Sequence, residues 1–118
     1  VSSPAGYRGM PGAGLYGVSK SGLTFLAETL KIELERYNIK VQVVHPGFIK
    51  TPMTDKNTFP MPFLMSSEKA AKIISSKINS DAFEIYFPKI LLIPMKLICF
   101  LPYKIYFFLI KKLIKLPG

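Results

Sequence analysis

Residues 15–46 read LYGVSKSGLTFLAETLKIELERYNIKVQVVHP, and a change of periodicity inside this stretch decides the fold. Leu23, Leu26, Ala27, Leu30 and Leu34 recur at three- and four-residue spacing. They share one face of a helix running from about Leu15 to Tyr37. Phe25 and Ile32 point elsewhere, and a helix with a second apolar face often packs against another subunit. Asn38 is a helix stop. Ile39 to His45 then alternates and is rich in β-branched residues, so a strand follows and Pro46-Gly47 ends it.

Upstream of the helix, residues 4–14 are rich in Gly and Pro and form a loop. Val1-Ser2-Ser3 reads as the end of a strand whose beginning is missing. Downstream, residues 48–65 contain Pro52, Pro60 and Pro62 and also form a loop. Met53, Phe59, Met61, Phe63, Leu64 and Met65 lie along it, and an apolar loop of this length is usually functional or covered by a partner. Ser66-Ser67-Glu68 starts a second helix that reaches about Ile78, with Ala70, Ala71, Ile74 and Ile78 on one face. Asn79-Ser80-Asp81 turns the chain, and Phe83 to Phe87 is a short strand. The order helix, strand, helix, strand implies an α/β fold with a parallel sheet.

The chain has 118 residues, enough for one small domain, and 49% of them are apolar, which excludes general disorder. Cys99 is the single cysteine, so no internal disulfide can form, which fits a reducing cytosol. The net charge of +9 is unevenly placed: residues 1–88 carry +3, whereas residues 89–118 hold six Lys, no acid and +6. This divides the chain into a catalytic part, 1–89, and an apolar basic tail, 90–118. The tail is too apolar and too free of Arg for nucleic acid and suits an anionic membrane surface better. Its longest uncharged run, Leu97–Tyr103, is far short of the ~20 residues needed to span a bilayer. Pro94 and Pro102 are expected to break it into short pieces. Past Pro102, Lys104, Lys111, Lys112 and Lys115 fall mostly on one helical side, and Ile105, Phe108, Leu109, Leu113 and Leu116 lie mainly away from it. An amphipathic helix lying in a membrane interface is expected, the alternative being a helix docked on a substrate pocket or a partner subunit.

Tyr16 and Lys20 lie four residues apart, one helical turn, near the start of the long helix. A free tyrosine titrates near 10 and is a poor acid or base at neutral pH, but a nearby ammonium favours the phenolate. At ~4 Å and an effective dielectric of ~20, one charge is worth roughly 4 kcal/mol, enough to bring a phenol into the working range of a general acid/base. Ser3 precedes Tyr16 by thirteen residues across the loop, and its hydroxyl could donate to a substrate oxygen that gains negative charge. After the strand, Pro46-Gly47-Phe48-Ile49-Lys50-Thr51 offers close backbone approach at Gly47 and a hydroxyl at Thr51. His45 has no Cys or second His beside it, so it reads as a packed or hydrogen-bonded residue rather than a metal ligand.

Taken together, "VSSPAG", "YGVSKSGLTFLAETLKIEL", "IKVQVVHPGFIKT" and "EIYFPK" resemble the short-chain dehydrogenase/reductase family, from Val1 to about Lys89. The resemblance implies the C-terminal portion of a Rossmann-like, doubly wound parallel sheet, here followed by an amphipathic helical tail. It implies an oxidoreductase for an alcohol/carbonyl pair that uses NAD or NADP and forms homo-oligomers. Tyr16 would move the proton, Lys20 would ease ionisation of Tyr16 and bind the nicotinamide ribose, and Ser3 would orient the substrate oxygen. Pro46, Gly47, Ile49 and Thr51 would lie against the nicotinamide and phosphates. The family's Gly-rich phosphate loop is not in this sequence, nor is the residue that selects NAD or NADP, so these residues alone are expected to bind a dinucleotide poorly. The alternative is a non-catalytic, membrane-associating remnant of such an enzyme. The tail and the Met/Phe-rich loop suggest a small, lipid-like substrate and a cytoplasmic place, peripheral at the inner face of a membrane.

Overall fold

The computed structural model describes residues 1–52, 54–56 and 60–114. In chain order the elements are α1 (Gly14–Leu34), β1 (Val43–Pro46), β2 (Ile49–Lys50), β3 (Met65–Ser66), α2 (Ser67–Lys77), β4 (Glu84–Phe87), α3 (Lys89–Ile98) and α4 (Tyr103–Ile114). Short 3-10 turns at Pro4–Gly6, Glu35–Tyr37 and Thr54–Lys56 punctuate them.

β1 and β4 pair in parallel, with Val44 opposite Ile85 and His45 opposite Tyr86. Parallel neighbours need a crossover, and α2 lies on the path between them. Alternation along each strand sorts the side chains to two faces. Val44, Ile85 and Phe87 pack with Met65 and Ala70, and with Ile49, Ile73 and Ile74, beneath α2. His45 faces the other way, toward Thr24 of α1. Helices thus cover both faces of a parallel sheet, an α/β arrangement of the Rossmann type.

The long helix ends where the sequence says it should: Asn38 adopts the left-handed conformation, φ 58°, and its N–H caps Glu35. Ser66 caps α2 by accepting from Lys69 N–H, and Glu68 sits in the first turn, where negative charge is favourable.

Four expectations need correction. The strand expected from Ile39 begins only at Val43, because its partner β4 begins opposite it at Glu84; Gln42, just before, gives its side-chain amide to the carbonyls of Lys77 and Ala82. The loop over 48–65 contains a parallel bridge, Ile49 opposite Met65 and Lys50 opposite Ser66, that draws its ends together; Met53 and Phe59 lie outside the described residues. On α2 the sheet takes Ala70, Ile73 and Ile74, while Ala71 and Ile78 stay exposed. On α1 no residue is fully buried: Ala27, Leu30 and Leu34 are half-buried, and Leu23 and Leu26 are exposed with Phe25 and Ile32. The two-stranded sheet is too narrow to cover the whole stripe.

The tail forms two helices. α3 runs straight through Pro94, which removes one helical bond at a cost of ~3 kcal/mol. Full burial of Leu92, 0% exposed, offsets much of this. α4 docks by a face not expected from its lysine pattern. Tyr106 and Ile110 are buried, whereas Ile105, Phe108 and Leu113 are exposed along with Phe107 and Ile114; Lys115 and Leu116 lie outside the described residues. The reason is a clasp at Arg8. Its guanidinium donates to the carbonyls of Cys99 (3.0 Å) and Leu101 (2.6 Å) and lies 4.0 Å from the centre of the Tyr106 ring. The Tyr106 hydroxyl donates to Gly9 O at 2.6 Å. The tail is therefore fastened to the loop that joins Ser3 to Tyr16.

Leu92→Ala is expected to destabilise the protein by ~2–5 kcal/mol, read from the shift of its urea unfolding midpoint.

Candidate active site

Two segments meet at the first turns of α1, and a third leaves the sheet near Thr24. The first carries Ser2 and Ser3. Ser2 N–H donates to Val44 O at 2.7 Å, which fixes this segment beside β1. The buried Ser2 hydroxyl donates to the Lys20 carbonyl at 2.9 Å and meets Thr24 Oγ1 at 2.9 Å. Ser3 is extended and caps the Pro4–Gly6 turn, its Oγ accepting from Ala5 N–H at 3.2 Å. That leaves the hydroxyl proton of Ser3 able to donate.

The second segment is the first turns of α1. Tyr16 is 50% exposed, and its hydroxyl makes no hydrogen bond among the described residues. Lys20 Nζ lies 5.6 Å from the centre of the Tyr16 ring and donates to Val1 O at 3.4 Å. The ammonium thus stands between the phenol and the backbone of the Ser3 segment. Two glycines allow this approach. A Cβ on Gly6 would stand 2.9 Å from the Lys20 backbone, and one on Gly17 would stand 3.1 Å from Ala5 O.

The third segment leaves the sheet at Pro46. His45 Nε2 is 3.0 Å from Thr24 Oγ1, so Pro46 and Gly47 emerge beside α1, one turn beyond Lys20. Gly47 N–H donates to Phe87 O, and a Cβ there would come within 2.9 Å of the Pro88 ring and 3.2 Å of Leu91. The close approach expected at Gly47 is thus made to the start of the tail. Ile49 O accepts from Thr54 Oγ1 at 2.7 Å, and Thr51 exchanges bonds with Thr54 through backbone and hydroxyl groups. This turn presents Thr51 at its start. The structure brings Tyr16, Lys20 and the Ser3 segment together, and sets the Pro46–Thr51 segment on the far side of Thr24.

Sequence reasoning missed a partly buried hub behind this site. Glu84 Oε2 accepts from the Tyr7 hydroxyl at 2.8 Å, and Oε1 accepts from Lys96 Nζ. His45 is only 2% exposed, and its Nδ1 lies 2.7 Å from Oε2, although the N–H is not aimed along that line. The Tyr7 and His45 rings pack 4.7 Å apart. Burial by itself would raise the Glu84 carboxyl; the contacts from His45, Lys96 and Tyr7 outweigh it and hold the group down at about 2. Burial, reinforced by that carboxylate, pushes the Tyr7 phenol up. One signal was available in the sequence: Glu84 is an acid inside the apolar run Phe83–Phe87, and a carboxylate there must be paired.

Comparison with known proteins follows the same residues. The family model for short chain dehydrogenase matches residues 1–60. An uncharacterized oxidoreductase of Myxococcus xanthus is 37% identical over 102 residues, covering 86% of this chain and 40% of that protein. The 3-oxoacyl-acyl-carrier-protein reductase of Thermotoga maritima is 48% identical over 56 residues, 48% of this chain and 23% of that protein. An uncharacterized NAD-dependent oxidoreductase of Mycobacterium tuberculosis is 46% identical over 55 residues, 47% of this chain and 20% of its own. The chain thus spans less than half the length of these curated relatives. No solved structure matches.

Because the folded Glu84 titrates lower than its ordinary 4.5, its contribution to stability is present above pH 4.5 and is lost as the pH falls toward about 2. The stability gap between the native protein and Glu84→Gln should therefore be full at pH 6 and shrink steadily below pH 4.5, measured by urea unfolding across that range.

Proposed function

The chain belongs to the short-chain dehydrogenase family, and on that premise we propose that it carries the proton-transfer centre of an NAD(P)-dependent oxidoreductase acting on a carbonyl/alcohol pair. The observation that carries this reading is the Lys20 ammonium held between the exposed Tyr16 ring, 5.6 Å away, and the Ser3 segment. Tyr16 donates its hydroxyl proton to the substrate oxygen in reduction and takes the alcohol proton in oxidation. Ser3 donates a hydrogen bond to the same oxygen as charge develops on it. Lys20 stands beside the Tyr16 ring and offers its remaining N–H donors to hydroxyl groups.

The donor set suits the nicotinamide-ribose end of NAD or NADP. Lys20 has a single acceptor at 3.4 Å, and the Tyr16 hydroxyl makes no hydrogen bond among the described residues, so both can serve a ribose. Pro46, Gly47, Ile49 and Thr51 would line the other side of that group, with the Thr51 hydroxyl offered to phosphate. When bound, the dinucleotide supplies or accepts the hydride. The name of the Mycobacterium relative favours NAD, and that of the Thermotoga relative a carbonyl substrate.

Residues 90–118 act as a tail that holds the protein peripherally to an anionic membrane, on its cytoplasmic face. No helix among the described residues is long and apolar enough to cross a membrane. α4 instead exposes Ile105, Phe107, Phe108, Leu113 and Ile114 beside Lys104 and Lys112, the composition of an interfacial helix. Since Arg8 ties this tail to the loop before Tyr16, a small lipid-like substrate fits the site. The exposed apolar face of α1 supports a homo-oligomer. The second reading, a membrane-associating module without catalysis, rests on the same tail.

Expressed from its complete coding sequence, the protein should oxidise NADH or NADPH with 9,10-phenanthrenequinone, an apolar dicarbonyl. Tyr16→Phe should lower that rate by about a hundredfold or more with an unchanged circular dichroism spectrum. Equal rates would remove Tyr16 from the chemistry, and vesicle binding without turnover would favour the second reading. Phe107→Ser with Phe108→Ser should release the protein from vesicles containing phosphatidylserine in a sedimentation assay, and unchanged binding would reject the membrane role.

A further inference from the structure

We propose that Thr24, His45 and Glu84 are positioning residues of this site, holding Lys20 and the Ser3 segment in place through one partly buried chain of polar contacts. This rests on the dehydrogenase reading above.

The chain is continuous. Lys20 O accepts from Ser2 Oγ at 2.9 Å; Ser2 Oγ meets Thr24 Oγ1 at 2.9 Å; Thr24 Oγ1 meets His45 Nε2 at 3.0 Å; His45 Nδ1 lies 2.7 Å from Glu84 Oε2. Proton counting fixes its direction. A carbonyl can only accept, so the single hydroxyl proton of Ser2 goes to Lys20 O. The proton between Ser2 and Thr24 must then come from Thr24, and the one between Thr24 and His45 from Nε2. Every donor points toward Lys20. Nδ1 is left facing the Glu84 carboxylate at 2.7 Å, a close polar contact rather than an aligned hydrogen bond.

Glu84 anchors the far end. It joins β4 to the Tyr7 hydroxyl, from the loop between Ser3 and Tyr16, and to Lys96 of α3. Loop, sheet and tail therefore converge on the group that orients His45. The near end grips the α1 backbone at Lys20 itself, not one of the exposed turns farther along. Ser2 also donates its N–H to Val44 O, so the residue next to Ser3 is held from two sides. Removing a middle link frees the α1 turn to drift against the Ser3 segment. Reacting groups are sensitive to such drift, because misplacement by about 1 Å can cost about a hundredfold in rate.

The test uses the protein expressed from its complete coding sequence, with NADH or NADPH and phenanthrenequinone. Thr24→Val keeps the shape and removes both bonds; Thr24→Ser keeps the hydroxyl. Thr24→Val should lower kcat by about tenfold or more while KM for the quinone stays within about twofold, and Thr24→Ser should restore kcat. If Thr24→Val does not fold, Glu84→Gln, which keeps the shape and loses the charge, is expected to show the same split. A Thr24→Val protein with native kcat, or a Thr24→Ser protein as slow as Thr24→Val, would overturn the positioning role and leave the dehydrogenase reading standing. A native protein that oxidises neither nucleotide would overturn both.

Discussion

A carboxylate drawn largely out of water has to be answered, and Glu84 is answered three times. Tyr7 comes from the loop that separates Ser3 and Tyr16, His45 from the strand ahead of Pro46-Gly47, and Lys96 from the tail. The β1–β4 sheet is two strands wide, and the apolar cluster around Val44, Ile85 and Phe87 lies on its α2 side. On the α1 side the contacts that unite the segments are polar, and they radiate from one group. A partly buried carboxylate with three partners is costly to disrupt singly, since loss of one partner leaves charge poorly compensated.

That arrangement explains why the site residues stand together. Lys20 reaches Val1 O because Ser2 is pinned both to Val44 and to the Lys20 carbonyl. Gly6 and Gly17 remove the side-chain volume that would keep the Ser3 turn away from α1. The tail joins through Arg8, whose two carbonyl contacts and ring stacking fasten α4 over the same loop. The tail's docked face follows from this clasp and from the Tyr106 hydroxyl, so its apolar face beside the lysines is left outward.

The sequence made the parallel pairing of the sheet, the ends of α1 and α2, and the closeness of Tyr16 and Lys20 legible, because these depend on element order, periodicity, capping and one-turn spacing. Asn38 and Ser66 act as local signals that no distant contact overrides. The Glu84 hub was not legible in the same way. Its partners lie 77, 39 and 12 positions away, and nothing local in Tyr7, His45 or Lys96 points at residue 84. The docked face of α4 was not legible for the same reason: lysine placement describes what avoids burial, but Tyr106 is held by a carbonyl at Gly9 and a guanidinium at residue 8. Pro94 was expected to end a helix because proline costs a bond, but α3 continues through it, and full burial of Leu92 offsets much of that cost.

The dependence of the whole arrangement on Glu84 can be read from one group. The side-chain carboxyl carbon of Glu84, followed by 13C NMR through an acid titration, should report a midpoint near 2, held there by His45, Lys96 and Tyr7. A midpoint at the ordinary 4.5 would mean that those three partners do not converge on it in solution, and the hub would have to be abandoned.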